Sequence, residues 1–133
     1  MRESLVFHKL KFWHLAKELV MDIFMITKKF PAEEKFWLVT QINRATLSVV
    51  SNIAEGSSRT SRKDQAHFTQ LSYGSFMETA CQLEIAHDLG FISENDLNSV
   101  LSKIKTVAEK LSALRSSQLS SLNPQPSSLN KVL

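Results

Sequence analysis

Apolar side chains recur every three or four residues through the middle of the chain. Between residues 38 and 56 they fall on one face of a helix drawn at about 100° per residue, and polar side chains occupy the opposite face. This pattern predicts an amphipathic helix over residues 32–55. We expect Gly56 to close that helix in the left-handed conformation, because glycine adopts positive φ at little cost. The apolar positions are Leu38, Ile42, Ala45, Val49 and Ile53, and the polar stripe is Gln41, Arg44, Ser48, Asn52 and Glu55.

Helical periodicity also occurs near both ends of the chain, at residues 9–29 and 93–115. The second is the clearer one, because its apolar positions form a continuous seam: Leu97, Val100, Leu101, Ile104, Val107, Ala108, Leu111 and Leu114. In the first segment the predicted inward set is Leu10, Trp13, Val20, Ile23, Phe24 and Thr27. A second apolar set lies off that stripe and favours contact with another subunit: Phe12, Leu15, Leu19 and Ile26.

A long helix is predicted over residues 61–89, where the hydroxyl of Ser61 can cap the first turn. Gly74 lies in its middle at a cost of about 1 kcal/mol relative to alanine, so we expect it to permit close approach of another helix. Gly90 is expected to end the helix. One predicted face holds Phe68, Leu71, Ser75, Gln82, Ala86 and Leu89, and another holds Tyr73, Phe76, Ala80 and Leu83.

The four segments predict an all-α fold, an antiparallel up-down-up-down four-helix bundle over residues 1–116. Connections of about two to six residues return each helix beside its predecessor. The chain of 133 residues has the size of one domain, and its three glycines and three prolines leave few turns for a many-stranded fold. Residues 117–133 are rich in Ser, Asn, Gln and Pro, and we expect them to form a flexible polar tail.

The sequence favours a cytoplasmic protein. Cys81 is the single cysteine and cannot form an internal disulfide, and the N-terminus has no pattern of a secretory signal. The longest apolar stretch is interrupted by Asp22 and is much shorter than the roughly 20 residues that a membrane span requires.

Charge is distributed unevenly along the chain, although the net charge is only +3. Residues 1–63 carry eleven basic and six acidic side chains, residues 64–102 carry six acidic side chains and no Lys or Arg, and residues 103–133 carry five basic and one acidic. This segregation is consistent with oppositely charged surfaces that meet in an oligomer, or with a basic face for nucleic acid. Ordinary solvated helix faces are the third interpretation.

Motifs of catalysis or metal binding give little signal, so we predict no enzyme, no cofactor and no metal. The chain has no glycine-rich phosphate loop, nucleophile elbow or paired-cysteine motif. Glu84 and His87 have the spacing that di-iron four-helix bundles use, but such sites need two of these motifs and the sequence has one. His8, His14 and His67 lack suitably spaced partners.

Two groups of residues match a recognisable signature that spans roughly residues 7–114. They are Gln41, Ile42, Arg44, Ser48, Asn52, Ile53, Ala54, Glu55, Gly56 and Arg59, then Phe68, Gly74, Ser75, Glu78, Leu83, Ile85, Ala86, Leu89, Gly90, Phe91 and Ile92. The signature resembles that of the bacterial four-helix-bundle proteins named after the 23S ribosomal RNA intervening sequence. This resemblance implies a small helical subunit of a ring-forming pentamer, encoded within ribosomal RNA insertions and similar to accessory subunits of diversity-generating reverse transcriptases.

Three hypotheses for function follow: an oligomeric scaffold or adaptor, an RNA-associated protein, and an enzyme, which no motif supports. We predict a non-enzymatic oligomer whose partners are its own copies and ribosomal RNA or another nucleic acid, with no membrane or small-molecule partner. The alternative is a nucleic-acid-binding accessory subunit of a diversity-generating reverse transcriptase. Salt-sensitive phosphate contacts are predicted from Arg59, Arg62 and Lys63, together with Lys9, Lys17 and Lys28. The polar stripe from Gln41 to Glu55 is interpreted as a structural seam.

Overall fold

Four long helices make up most of the protein, which a computed structural model describes over residues 5–122. They are α1 (Lys11–Thr27), α2 (Thr40–Ser57), α3 (Arg62–Asp88) and α4 (Glu94–Leu122). A 3-10 turn (Val6–Lys9) precedes α1, and a 3-10 turn (Ala32–Glu34) and a π-helical turn (Lys35–Val39) lead into α2. No strand occurs between residues 5 and 122, so the predicted all-α class is confirmed.

Side-chain contacts between helices establish their relative directions. For three pairs of neighbouring helices, residues later in one helix contact residues earlier in the other, which requires antiparallel axes. This holds for α1 with α4, for α2 with α3 and for α3 with α4, so α1 and α2 also run in opposite directions. The contacting pairs are Asp22–Lys103 and Lys29–Asp96, Arg44–Glu78 and Ser48–Ser75, and Gln70–Arg115 and His87–Glu94.

The core is built from the predicted faces of α2 and α4. All five apolar positions predicted on the second helix are buried, and Ile42, Ala45 and Val49 are fully enclosed. On α4 the predicted seam is also confirmed: Leu97, Val100, Ile104, Val107, Ala108 and Leu111 are buried. Both helices carry one apolar stripe opposite a polar one, so periodicity alone identifies their inward side.

The inward side of α1 agrees with the prediction only in part, because Ile23 and Thr27 are buried as expected but other members of the set are not. Phe24 was expected in the core but is 47% exposed, whereas Leu19 was assigned to subunit contact and is 1% exposed. Ala16, Leu19, Ile23 and Thr27 form the buried face. Because α1 carries two apolar stripes, periodicity does not choose between them, and the small side chain of Ala16 allows the other helices to approach on this side.

α3 buries Phe76, Leu83 and Ala86 of the two predicted faces, but it exposes Leu71, Tyr73 and Leu89 and buries small and hydroxyl side chains in their place. Its buried positions are Ala66, Thr69, Ser72, Phe76, Thr79, Leu83 and Ala86. The Ser72 hydroxyl donates a hydrogen bond to the Val49 carbonyl at 2.8 Å, and the Thr79 hydroxyl donates to the Ser75 carbonyl at 2.8 Å. Hydroxyls that find carbonyl acceptors can be buried at low cost, and hydropathy does not register them.

The three glycines have different roles. Gly90 has φ of +84° and ends α3, as predicted, with the Phe91 amide donating to the Ala86 carbonyl at 2.9 Å. Gly56 does not close α2: it lies inside the helix, is buried, and would place a Cβ atom 2.9 Å from Cβ of Phe68. Gly74 was expected to permit a helix contact, but a Cβ atom there would meet nothing within 4 Å in the subunit.

α4 continues past the boundary that was predicted at residue 116. The helix extends to Leu122, and Gln118, which was assigned to the flexible tail, is 6% exposed. The Thr69 hydroxyl donates a hydrogen bond to Oε1 of Gln118 at 2.9 Å, so the additional turns of α4 pack on α3. The rest of the predicted tail, 123–133, lies outside the described residues.

Candidate functional site

One end of the bundle gathers most of the cations predicted to contact nucleic acid. The antiparallel order brings the end of α2 and the start of α3 to the turn that precedes α1. Val6 of that turn, Gly56 and Arg62 line one cavity of about 210 Å³, which places Lys9 at the same end as Arg59, Arg62 and Lys63. We call these four residues the basic end.

Local contacts fix the backbone of the basic end. The Ser61 hydroxyl accepts a hydrogen bond from the Asp64 amide at 3.1 Å, so the predicted cap of α3 is present. The Gln65 side-chain amide donates to the Arg59 carbonyl at 2.8 Å. The Arg59 guanidinium lies over the ring of Phe68, 4.7 Å from its centroid, and forms an ion pair with Glu55. The loop between α2 and α3 is therefore held by contacts from both helices.

The cations at this end differ in how much charge they can offer to a phosphate. Glu55 partly neutralises Arg59. Arg62 donates to the neutral Gln65 side chain at 3.3 Å, and among the ion pairs of residues 5–122 neither Arg62 nor Lys63 takes part. Lys9 also takes part in none of these ion pairs, so Lys9, Arg62 and Lys63 are the cations at this end that are available for an external anion.

Two of the predicted cations lie elsewhere. Lys28 follows the last residue of α1, and 17 residues of α1 at about 1.5 Å each separate it by roughly 25 Å from the start of the helix. Lys17 lies midway along α1, with its ammonium 5.6 Å from the centroid of the Trp13 ring. The basic end and Lys28 cannot bind the same short stretch of nucleic acid within one subunit.

The polar stripe of α2 forms a hydrogen-bonded seam with α3. Nη2 of Arg44 lies 2.9 Å from a carboxylate oxygen of Glu78 and 2.9 Å from the amide oxygen of Gln41, and its side chain is 58% exposed. The hydroxyls of Ser48 and Ser75 are 2.9 Å apart, and Asn52 donates to the Ser48 carbonyl at 2.8 Å. These groups therefore satisfy one another within the subunit. A surface ion pair of this kind contributes at most about 1 kcal/mol.

The titratable side chains of residues 5–122 form pairs and not metal-binding clusters. His87 contacts Glu94 across the α3–α4 turn, with 2.8 Å between Nε2 and the carboxylate. Between residues 5 and 122, no group of three or more His, Cys, Asp or Glu side chains could hold a metal ion. Cys81 is exposed and is not in a disulfide. No helix in the same range is long and apolar enough to cross a bilayer.

Large apolar side chains project from the surface where α1 meets α2, and sequence analysis did not identify them as one surface. We call Met21, Phe24, Phe36 and Leu47 the α1–α2 apolar face; they are 55%, 47%, 87% and 56% exposed. Phe24 lines two open cavities on this face, of about 300 and 650 Å³. Met21, Phe24 and Leu47 line the smaller of these cavities, and exposed apolar groups of this kind are typical of protein–protein contact. The signal in the sequence was the second apolar stripe of α1, although different residues were assigned to it.

Comparisons with known proteins agree with this architecture. A family model described as 23S rRNA-intervening sequence protein matches residues 8–113. A crystal structure at 1.70 Å of a protein of unknown function from the S23 ribosomal protein family of Bacteroides thetaiotaomicron has a TM-score of 0.73 and 22% identity, and covers 78% of this chain and 97% of its own. At this identity the likeness concerns the fold. No curated protein matches the chain.

Proposed function

Because the chain belongs to the 23S rRNA-intervening sequence protein family, we propose that it is a non-enzymatic cytoplasmic scaffold that assembles with copies of itself. The observation that carries this proposal is the α1–α2 apolar face. Phe36 is 87% exposed, and a phenylalanine offers about 150 Å² or more for burial, so this residue alone leaves over about 100 Å² of apolar surface in water. Assembly would remove that surface from water and gain roughly 25 cal/mol per Å².

A pentameric ring is the proposed form of the assembly, and its subunit count depends on the resemblance of the sequence to ring-forming proteins. Light scattering coupled to size exclusion tests both statements. A ring of five would have about five times the subunit mass of 15.1 kDa. A wild-type mass equal to one subunit at micromolar concentration would refute self-assembly.

A double variant and a control at another exposed apolar residue connect assembly to the α1–α2 apolar face. The double variant Phe36→Asp/Leu47→Asp places charge on that face, and we expect it to be monomeric with an unchanged helical circular dichroism spectrum, because both side chains are mainly exposed. Leu15→Ser is the control: Leu15 is 40% exposed, but it lies beside α4 in a cavity with Lys103. This control should assemble as the wild type does.

A second candidate function, contact with nucleic acid, is supported by the clustering of Lys9, Arg59, Arg62 and Lys63 at the basic end. Four cations in one subunit bind phosphate weakly, but an assembly repeats them, and simultaneous contacts raise the affinity. The partner proposed is single-stranded ribosomal RNA. An accessory subunit of a reverse transcriptase would present the same surface to its template, so this alternative makes the same prediction for binding.

Fluorescence anisotropy with a labelled single-stranded RNA tests this second candidate. We expect binding to weaken steeply between about 50 and 200 mM salt. The variant Arg59→Ala/Arg62→Ala/Lys63→Ala should lower the salt slope by at least about 1.4, because the lost contacts of Arg62 and Lys63 contribute about 0.7 each and Arg59, which pairs with Glu55, adds less. The control Lys29→Ala/Lys103→Ala/Lys105→Ala removes the same charge elsewhere. Equal losses in both triple variants would reject the basic end, and no binding at low salt would leave only the scaffold.

A further inference from the structure

α3 presents a second apolar surface, and its charge is opposite to that around the α1–α2 apolar face. We define the α3 outer face by three exposed apolar residues, Leu71, Met77 and Ile85, and two acidic residues, Glu84 and Asp88. The apolar residues are 41%, 41% and 45% exposed. Beyond Lys63, α3 contains no Lys or Arg, so no cation of this helix neutralises these carboxylates.

Lysines surround the α1–α2 apolar face. Lys17 of α1 and Lys28, which directly follows α1, lie on either side of Met21 and Phe24 along the chain, and Lys35 lines the larger cavity. Their ammonium groups lie near aromatic rings, and within residues 5–122 none of the three takes part in an ion pair. Burial of this face against an acidic surface would therefore supply these cations with partners that the subunit itself does not offer.

Each face combines apolar side chains with charges of one sign. Met21 and Phe24 lie between Lys17 and Lys28 along the chain, and Ile85 lies between Glu84 and Asp88. Gly74 adds room on the α3 side, because nothing lies within 4 Å of the position of its missing Cβ. A second copy of the chain is the occupant that supplies both patterns.

We propose that the α1–α2 apolar face of one subunit docks on the α3 outer face of the next, which makes the contact heterologous. This inference rests on the self-assembly proposed above and names its two surfaces. The two faces belong to different sides of the subunit, so each copy uses one face for each neighbour, and the contact repeats until a ring closes. Packing along the sides of the bundles places all basic ends on one rim of that ring.

The seam between α2 and α3 and the α1–α4 side are weaker candidates for the receiving surface. Arg44, Glu78, Ser48 and Ser75 already satisfy one another in the seam. On the α1–α4 side, Lys103 pairs with Asp22 at 2.7 Å and Lys29 with Asp96 at 4.0 Å. Of the carboxylates on the α3 outer face, Glu84 has no cation within ion-pair distance in the described part of the chain.

Mixing two variants that fail to assemble tests the pairing. Phe36→Asp/Leu47→Asp removes one face and Met77→Asp/Ile85→Asp removes the other, and each alone is expected to be monomeric. In an equimolar mixture the intact α1–α2 apolar face of the second variant docks on the intact α3 outer face of the first. Light scattering should then show a 1:1 dimer and nothing larger, because the remaining face of each partner is blocked. Circular dichroism checks that both variants are folded.

Charge exchange provides an independent readout in case the single contact of that dimer is weak. Lys28→Glu and Glu84→Lys should each raise the subunit concentration required for half-maximal assembly at least tenfold. The variant that combines both changes should restore assembly. If the wild type and Met77→Asp/Ile85→Asp both assemble normally, the heterologous contact is wrong. The proposal of self-assembly would still hold in that case. A monomeric wild type would instead overturn self-assembly itself. Failure of both the 1:1 dimer and the charge-exchange rescue also rejects the pairing.

Discussion

Replacing Gly56 by alanine tests a close contact between α2 and α3 beside the basic end. In an exposed helix this change stabilises by about 1 kcal/mol, because alanine loses less conformational entropy on folding. At position 56, however, the new Cβ atom would lie 2.9 Å from Cβ of Phe68, well inside the separation of about 3.5–4.0 Å that carbon atoms prefer. Cβ of Phe68 is bonded directly to the backbone and cannot move away by a change of rotamer, so α3 itself must shift.

The size of the effect follows from these two opposing contributions. Overpacking of this kind costs about 1–3 kcal/mol, and helix propensity offsets about 1 kcal/mol of it. We therefore expect Gly56→Ala to lower the free energy of unfolding by up to about 2 kcal/mol. Gly74→Ala is the matched control, because its new Cβ atom meets nothing within 4 Å and only the propensity gain of about 1 kcal/mol remains. The difference between the two variants is then about 1–3 kcal/mol.

Urea unfolding followed by far-UV circular dichroism measures this difference. Both glycine variants are made in the Phe36→Asp/Leu47→Asp background, so that contacts between subunits do not contribute. With a urea slope of about 1–3 kcal/mol per molar, the two midpoints should differ by roughly 1 M. If Gly56→Ala were as stabilising as Gly74→Ala, the close packing of α2 on Phe68 would be refuted, together with the account of how the Arg59 loop is held.

Three further predictions concern the subunit. Leu83→Ala should lower the free energy of unfolding by about 2–5 kcal/mol in the same urea assay, because Leu83 is fully buried. A chain that stops after residue 116 loses the Thr69–Gln118 hydrogen bond and should be less stable by about 0.5–1.5 kcal/mol than one that stops after residue 122, because the Thr69 hydroxyl can still donate to the Gln65 carbonyl. The hydrogen bond and charge of Asp22 raise the pKa of Lys103 above its ordinary value of 10.5. This ion pair therefore stabilises the fold below that pH, and the stabilisation is lost as the pH rises through the raised pKa. Asp22→Asn should abolish this pH dependence of the urea midpoint.

The sequence by itself determined the helical class, the approximate helix positions and the inward sides of α2 and α4. Those two helices carry a single apolar stripe each, and a stripe with the period of a helix has one way to face a core. The Ser61 cap and the Gly90 terminus were equally readable, because both depend on interactions within a few residues of the chain. The cations at 59, 62 and 63 were identified as one cluster for the same reason.

Only the tertiary structure decided the features that depend on contacts between distant segments. It showed that α3 buries Ser72 and Thr79, whose hydroxyls are satisfied by carbonyls that hydropathy cannot detect. It showed that Gly56 lies inside a helix, at a position where a Cβ atom would come too close to Phe68 of another helix. It also separated Lys28 from the basic end and left Phe24 exposed, because the neighbours of α1 select which of its two apolar stripes is buried. Periodicity identifies apolar stripes, but the partner helices determine which of them remains at the surface.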